Sequence, residues 1–151
     1  MRRALQRLKY GGASRLAGPL AAAALPRLRL LLRVSGAVPL IPVPVHLERR
    51  RQRGYNQAEL LARAIGETAG LPVVQPLVRA RATTMQHRLD RAGRLHNLRG
   101  AFGAARGARA PPVAILVDDI LTTSATLEAC ASVLIESGAE RVYGFAIGRE
   151  V

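Results

Sequence analysis

Ala114-Ile115-Leu116-Val117-Asp118-Asp119-Ile120-Leu121-Thr122-Thr123-Ser124-Ala125-Thr126 sets the frame for the whole chain. The apolar run over residues 113–117 predicts a buried strand, because a short unbroken aliphatic stretch suits a sheet covered on both faces. It ends on adjacent carboxylates, Asp118 and Asp119, and a hydroxyl-rich turn (Thr122, Thr123, Ser124) then opens a helix. At a helix start the backbone N–H groups and the positive end of the dipole favour an anion, and Thr and Ser hydroxyls add donors. Two carboxylates just upstream would repel a bare phosphate, yet they suit sugar hydroxyls and a hydrated Mg²⁺. The order matches a ligand with a phosphate at one end and a diol at the other, of which a ribose 5-phosphate is the simplest. The same residues also make an ordinary strand end and helix cap, so the stretch alone leaves both readings open.

At 151 residues the chain predicts a single domain with a core of its own. Aromatic residues make up only 3% of it, so that core must be aliphatic. The net charge of +13 is unevenly spread. Residues 1–47 hold eight basic side chains and no acid, and residues 48–109 hold thirteen Arg against Glu48, Glu59, Glu67 and Asp90. Beyond residue 109 six acids outnumber Arg141 and Arg149. Lys9 is the only lysine, a bias toward planar, bidentate phosphate-binding cations. Such a field suits nucleic acid. An arginine-favouring coding bias leaves the same composition, and the scarcity of aromatics argues against a base-stacking platform for single strands. A lone Cys130 rules out a disulfide framework and a cysteine-built zinc site. The apolar stretch over residues 16–25 is interrupted by Gly18 and Pro19 and is too short to span a bilayer. A cytoplasmic protein without a membrane partner is therefore expected.

Residues 14–33 predict a helix broken near Pro26, and residues 37–45 a strand whose three prolines restrict its pairing. A basic loop over residues 46–54 follows. Asn56 is placed to cap a helix running to about Ala69 and stopped by Gly70, with Leu60, Leu61, Ala64 and Ile65 on one stripe. Residues 73–78 predict a short strand. Residues 79–110, with eight Arg, four Gly and no sustained apolar period, read as a long mobile loop. The strand over 113–117, a helix over 123–137 ended by Gly138 and a strand over 141–147 complete the chain. Alternating strands and helices from residue 37 onward predict a parallel α/β sheet, with ligands beyond the carboxyl ends of its strands. The basic loop and the acid loop both fall there.

The acid stretch resembles the phosphoribosyl-pyrophosphate (PRPP) loop of the type I phosphoribosyltransferases: four apolar residues, two acids, two apolar residues, then Thr-Thr-Gly-x-Thr. Ser124 replaces the glycine. Lys9-Tyr10-Gly11, Pro42-Val43-Pro44-Val45-His46, Arg53-Gly54-Tyr55-Asn56-Gln57-Ala58 and the spaced run Gln86, Leu89, Arg91, Arg94, Asn97, Gly100-Ala101-Phe102 occur in this order. That series is similar to the competence protein F family, a branch of the same superfamily, over roughly residues 5–149. The resemblance implies a type I phosphoribosyltransferase fold in one domain, with a small N-terminal hood (residues 1–36) on a mostly parallel α/β core (residues 37–151). The four-cysteine zinc finger with which many members begin has no counterpart here, which reads as a short or truncated form.

The resemblance also implies roles. Thr122, Thr123, Ser124, Ala125 and Thr126 would hold a 5-phosphate. Asp118 and Asp119 would accept from the ribose hydroxyls and act as the catalytic pair. Arg49, Arg53 and Gly54 would take the pyrophosphate, and Arg81, Gln86 and Arg94 would belong to a flexible loop. Magnesium would be held through waters and PRPP near Asp118 and Asp119, with no direct protein ligand. Two functional classes follow. One is a phosphoribosyltransferase of nucleotide metabolism, or a PRPP-binding protein, that transfers or recognises the phosphoribosyl group and is linked to natural competence. The other is a non-catalytic protein that handles transforming single-stranded DNA or meets DNA-processing proteins. Either could act as a homodimer.

Overall fold

The computed structural model describes residues 2–10, 13–80, 98 and 100–149. Helix α1 (Arg2–Tyr10) and a short 3₁₀ turn lead into α2 (Ala17–Ser35). Then come β1 (Leu40–Pro42), α3 (Leu47–Arg53), α4 (Gln57–Ala69), β2 (Leu77–Arg79), β3 (Phe102–Ala104), β4 (Val113–Leu121), α5 (Ala125–Glu136) and β5 (Arg141–Arg149).

Among the described residues the main sheet has the order β1-β4-β5 and is parallel throughout, while β2 and β3 form a separate antiparallel pair. The α/β architecture expected from the alternation of elements is the one observed. β4 lies in the middle. Its side chains alternate between two cores. Ile115 and Val117 face α1, α2 and α4 together with Leu40, Leu61, Ile65, Phe145 and Ile147. Ala114 and Leu116 face α5 and the β2–β3 pair, with Ile41, Cys130, Leu134 and Phe102. Both faces are covered, which is why the strand shows no polar alternation.

β1 explains how a proline-rich segment enters a sheet. Val43 N–H donates to Val117 O at 2.9 Å, while Leu40 N–H donates to Pro72 O at 2.8 Å on the opposite side. Because N–H directions alternate along a strand, the missing donor of Pro42 faces the Pro72 side. There, among the described residues, an isolated bridge, Leu40 to Val73, holds a neighbouring segment. The proline sits where no ladder needs its hydrogen.

Several elements differ from the sequence-based expectation. α2 runs through Pro26 unbroken. Proline removes one intrahelical bond, but next to it the Arg27 guanidinium donates to Ile147 O and lies 6.0 Å from the Phe145 ring centre, fastening the helix to β5. Residues 46–54 are largely helical rather than a loop. His46 Nδ1 accepts from Glu48 N–H at 3.3 Å, Glu48 lies in the first turn, and arginines fill the last turn, where cations favour a helix end. Residues 37–45 contribute only three residues of strand, and residues 73–78 divide into the bridge at Val73 and the start of β2. Inside the expected loop over 79–110, β3 pairs with β2. β4 does not stop before its acids: the ladder with β5 continues through Leu121 opposite Arg149. β5 likewise runs two residues past its expected end.

Candidate functional site

The loops after β1 and β4 leave neighbouring parallel strands at the same, carboxyl, end, so α3 stands beside the acid pair. Strand alternation then sends the two carboxylates to opposite faces of the sheet. Asp119 follows Ile115 and Val117 toward α4; Asp118 follows Ala114 and Leu116 toward α5 and β2.

On the α4 side, Asp119 is only 4% exposed. Its Oδ1 accepts from Ile120 N–H at 2.9 Å and its Oδ2 from Gln57 Nε2 at 3.4 Å. Gln57 Oε1 accepts in turn from Arg53 Nη1 at 3.3 Å. An acid on β4, an amide opening α4 and a guanidinium closing α3 are thus linked in series. On the α5 side, Asp118 Oδ1 accepts from Asp119 N–H at 2.8 Å. Asp118 also lies within charge–charge range of Arg79 and the Cys130 thiol. Arg79, on β2, places its guanidinium 5.1 Å from the Phe102 ring centre. Burial, then the charge of Arg49, hold Arg79 below the usual arginine range, while Cys130 and Asp118 act in the opposite direction. Burial, then Asp118, push the Cys130 thiol up, so it stays protonated and inert.

The block Arg53-Gly54-Tyr55-Asn56-Gln57-Ala58 builds this geometry residue by residue. Arg53 bonds Gln57. Gly54, at φ +83°, ends α3 in the left-handed conformation that reverses the chain without a Cβ penalty. The Tyr55 hydroxyl donates to Leu8 O, tying α4 to α1. Asn56 Nδ2 donates to Val43 O at 3.0 Å, and its Oδ1 caps α4 by accepting from Ala58 N–H at 3.0 Å. Gln57 reaches Asp119, and Ala58 is buried below.

The arginines of α3 are sorted by face. Arg49 and Arg53, one turn apart, are half-buried; Arg50 and Arg51 are exposed. Arg50 turns away to Glu59, at 3.6 Å, which also accepts from Arg63 at 2.9 Å and Gln75 at 3.0 Å. Burial raises the Glu59 carboxyl, but hydrogen bonds from Arg63 and Gln75 and the charges of Arg50 and Arg63 outweigh it and leave the carboxyl below its ordinary range. A cleft of about 240 Å³ beside Glu59, lined by Pro44, Val45, Leu47, Arg50 and Arg79 among others, does not include the acid pair.

In the turn before α5, Thr122 is exposed and Thr123 half-buried, Ala125 is buried, and Thr126 lies in the first helical turn. Ser124 precedes the helix at φ −67°, a conformation any residue adopts, so its side chain carries no backbone strain. Its hydroxyl donates to the Glu128 carboxylate. Arg81, Gln86 and Arg94 lie outside the described residues. Sequence reasoning assigned no role to Gln57, Arg79 or Glu128. Gln57 stood inside the Arg53–Ala58 block, and Arg79 carried a local signal, a cation directly after the apolar pair Leu77-Val78.

Among the described residues no group of three His, Cys, Asp or Glu side chains is arranged to hold a metal. Nor is any helix there long and apolar enough to cross a membrane.

No protein-family model matches the chain. It is 34% identical to competence protein F of Haemophilus influenzae, over 73% of its own length and 49% of that protein. It is 32% identical to the DNA utilization protein YhgH of Salmonella typhi, over 91% of its own length and 62% of the relative. The chain therefore spans between about half and three-fifths of these relatives. Among solved structures it superposes on an adenine phosphoribosyltransferase with a TM-score of 0.56 at 13% identity, covering 89% of this chain and 70% of that one.

Proposed function

Because the chain belongs to the competence protein F family and carries the type I phosphoribosyltransferase fold, we propose that it binds PRPP with Mg²⁺, or a ribose 5-phosphate, and transfers or recognises the phosphoribosyl group. The observation that carries this reading is the series that links half-buried Arg53, on α3 after β1, through Gln57 to the Asp119 carboxylate on the neighbouring parallel strand β4. In open α/β sheets that end is where ligands bind.

Each group has a task. Thr122, Thr123 and Thr126, with the backbone opening α5, hold the 5-phosphate. Asp118 and Asp119 accept from the ribose hydroxyls and stabilise the positive charge that develops as the ring becomes oxocarbenium-like. Arg49 and Arg53, with Gly54 permitting close approach, take the pyrophosphate, where negative charge grows in the transition state. Two neighbouring carboxylates, with no third metal-binding side chain grouped with them among the described residues, suit an ion that keeps most of its waters. Magnesium would lie beside Asp118 and Asp119 and neutralise diphosphate charge.

Calorimetric titration of Mg²⁺·PRPP into the chain tests the proposal, with the Asp118→Asn/Asp119→Asn double variant as control. Micromolar binding that disappears in the control supports the phosphoribosyl site. A folded chain that binds nothing removes it.

A second reading draws on the acid-free N-terminal helices, which expose Arg3, Arg7, Arg29 and Arg33. The relatives' names also point to DNA utilization and competence. Here the chain handles transforming single-stranded DNA through its phosphates, without catalysis. Affinity for an oligonucleotide should then fall steeply as salt rises. A flat salt dependence argues against it.

A further inference from the structure

We infer that Gln57 is a positioning residue that couples the two halves of the ligand, making a diphosphate at Arg53 and a ribose at Asp119 bind cooperatively. This rests on the phosphoribosyl reading above.

The argument begins with what the neighbours of residue 57 can do. A guanidinium only donates and a carboxylate only accepts. The group between them must accept on one side and donate on the other, and a side-chain amide does both without adding charge. This also fixes the amide's orientation, because the reversed one would set NH₂ against Arg53 and oxygen against Asp119. A glutamate at 57 would repel Asp119, and a lysine would repel Arg53. Gln57 is 7% exposed and opens α4, where the Asn56 cap and the Tyr55 bond to Leu8 hold its backbone. The freedom left to it is in its side chain.

Both links are long, 3.3 Å from Arg53 and 3.4 Å to Asp119, so the series has slack to take up. Oδ1 of Asp119 is held by Ile120 N–H, and Gln57 Nε2 donates to Oδ2. Arg53 carries five donors, so it can keep Gln57 while engaging a diphosphate oxygen. A diphosphate that immobilises Arg53 therefore immobilises the amide, and the amide immobilises the carboxylate. A ribose arriving afterwards meets an acid already ordered, which is positive cooperativity without a change of fold.

The test is a set of titrations on the full chain with Mg²⁺ present. Ribose 5-phosphate is titrated alone and again with inorganic pyrophosphate at saturation. The expected result is about fivefold tighter ribose 5-phosphate binding in the presence of pyrophosphate, at the low end of usual couplings, and the same factor when the order is reversed. In Gln57→Ala the factor should fall to one, whatever happens to either affinity alone. A purely structural role would change affinities or melting temperature and leave the factor intact. If Gln57→Ala does not fold, Gln57→Met keeps the volume without the amide and gives the same readout. An unchanged factor in the variant, or a factor of one in the unaltered chain, overturns the coupling and leaves the phosphoribosyl site standing. Binding of neither ligand overturns the site and the coupling with it.

Discussion

Asp118 and Asp119 are adjacent in the chain and differ in almost everything else. Asp119 is buried on the α4 side, where a neutral amide and a backbone N–H hold it. Asp118 is half-buried on the other side, among a guanidinium, a thiol and the backbone N–H of its neighbour. The cause is the two-residue period of a strand that runs on past both of them. Had β4 ended at Val117, the pair would have shared a loop and a common environment. The contrast suggests a division of labour, with Asp119 held for geometry and Asp118 placed for charge.

The largest expected effect comes from Asp119→Asn. If its buried carboxylate accepts from ligand hydroxyls as proposed, the loss should weaken Mg²⁺·PRPP binding by about 100-fold, the scale of one charged hydrogen bond at about 3 kcal/mol. Circular dichroism should show the fold intact. If Asp118→Asn costs more in the same titration, the division of labour is reversed. Arg53→Ala should weaken inorganic pyrophosphate by about tenfold and ribose 5-phosphate by less, consistent with losing one charge-assisted contact. Arg50→Ala, on the outward face of α3, should change neither affinity. Equal losses in the two variants would mean that the sorting of arginines by face has no bearing on binding.

Away from the acid pair, Glu59→Gln addresses stability. The folded carboxyl lies below its ordinary pKa of 4.5, so it contributes stability above that value and loses it as pH falls through the folded-state pKa. Such surface pairing is worth less than about 1 kcal/mol. The variant should therefore melt slightly lower at pH 7 and converge with the unaltered chain in strong acid. A difference that persists or grows at low pH contradicts the assignment. The smallest effect is expected from Ser124→Gly. Because Ser124 has an ordinary φ and gives its hydroxyl to Glu128, phosphate affinity should move by no more than about twofold, a few tenths of a kcal/mol. A tenfold gain would show that the Ser124 side chain obstructs the phosphate.

Local chemistry was readable where the sequence states its own physics. Asn56 before an apolar stripe and Gly70 after it marked α4, and the aliphatic run before Asp118 marked the central strand. What escaped was whatever depends on distant partners. β4 reads as ending at its acids, because only the ladder with β5 extends it. α3 shows a run of arginines and no apolar stripe, and its helicity comes from the His46 cap and the Gly54 stop. β2 and β3 meet across more than twenty intervening residues, and no periodicity announces that pairing. Gln57 was visible as part of a motif, but its partner Asp119 lies 62 residues away, a separation that no spacing rule spans.

The extension of β4 through Leu121 also predicts where the molecule can breathe. The acids belong to a nine-residue strand paired along most of its length with β5 and joined to β1 on its other edge. Amides in such a ladder open only with the most stable part of a protein, so hydrogen exchange should be slowest over residues 115–117, where β4 has a strand on each edge, and faster at Asp119 and Ile120, whose amides donate to carboxylates. α3, seven residues long with no buried side chain, is held by polar contacts such as Arg50 to Glu59 and Arg53 to Gln57 rather than by packing. Local opening at this end of the sheet is therefore expected first in α3, while the backbone that carries the two acids stays where the β4–β5 ladder holds it.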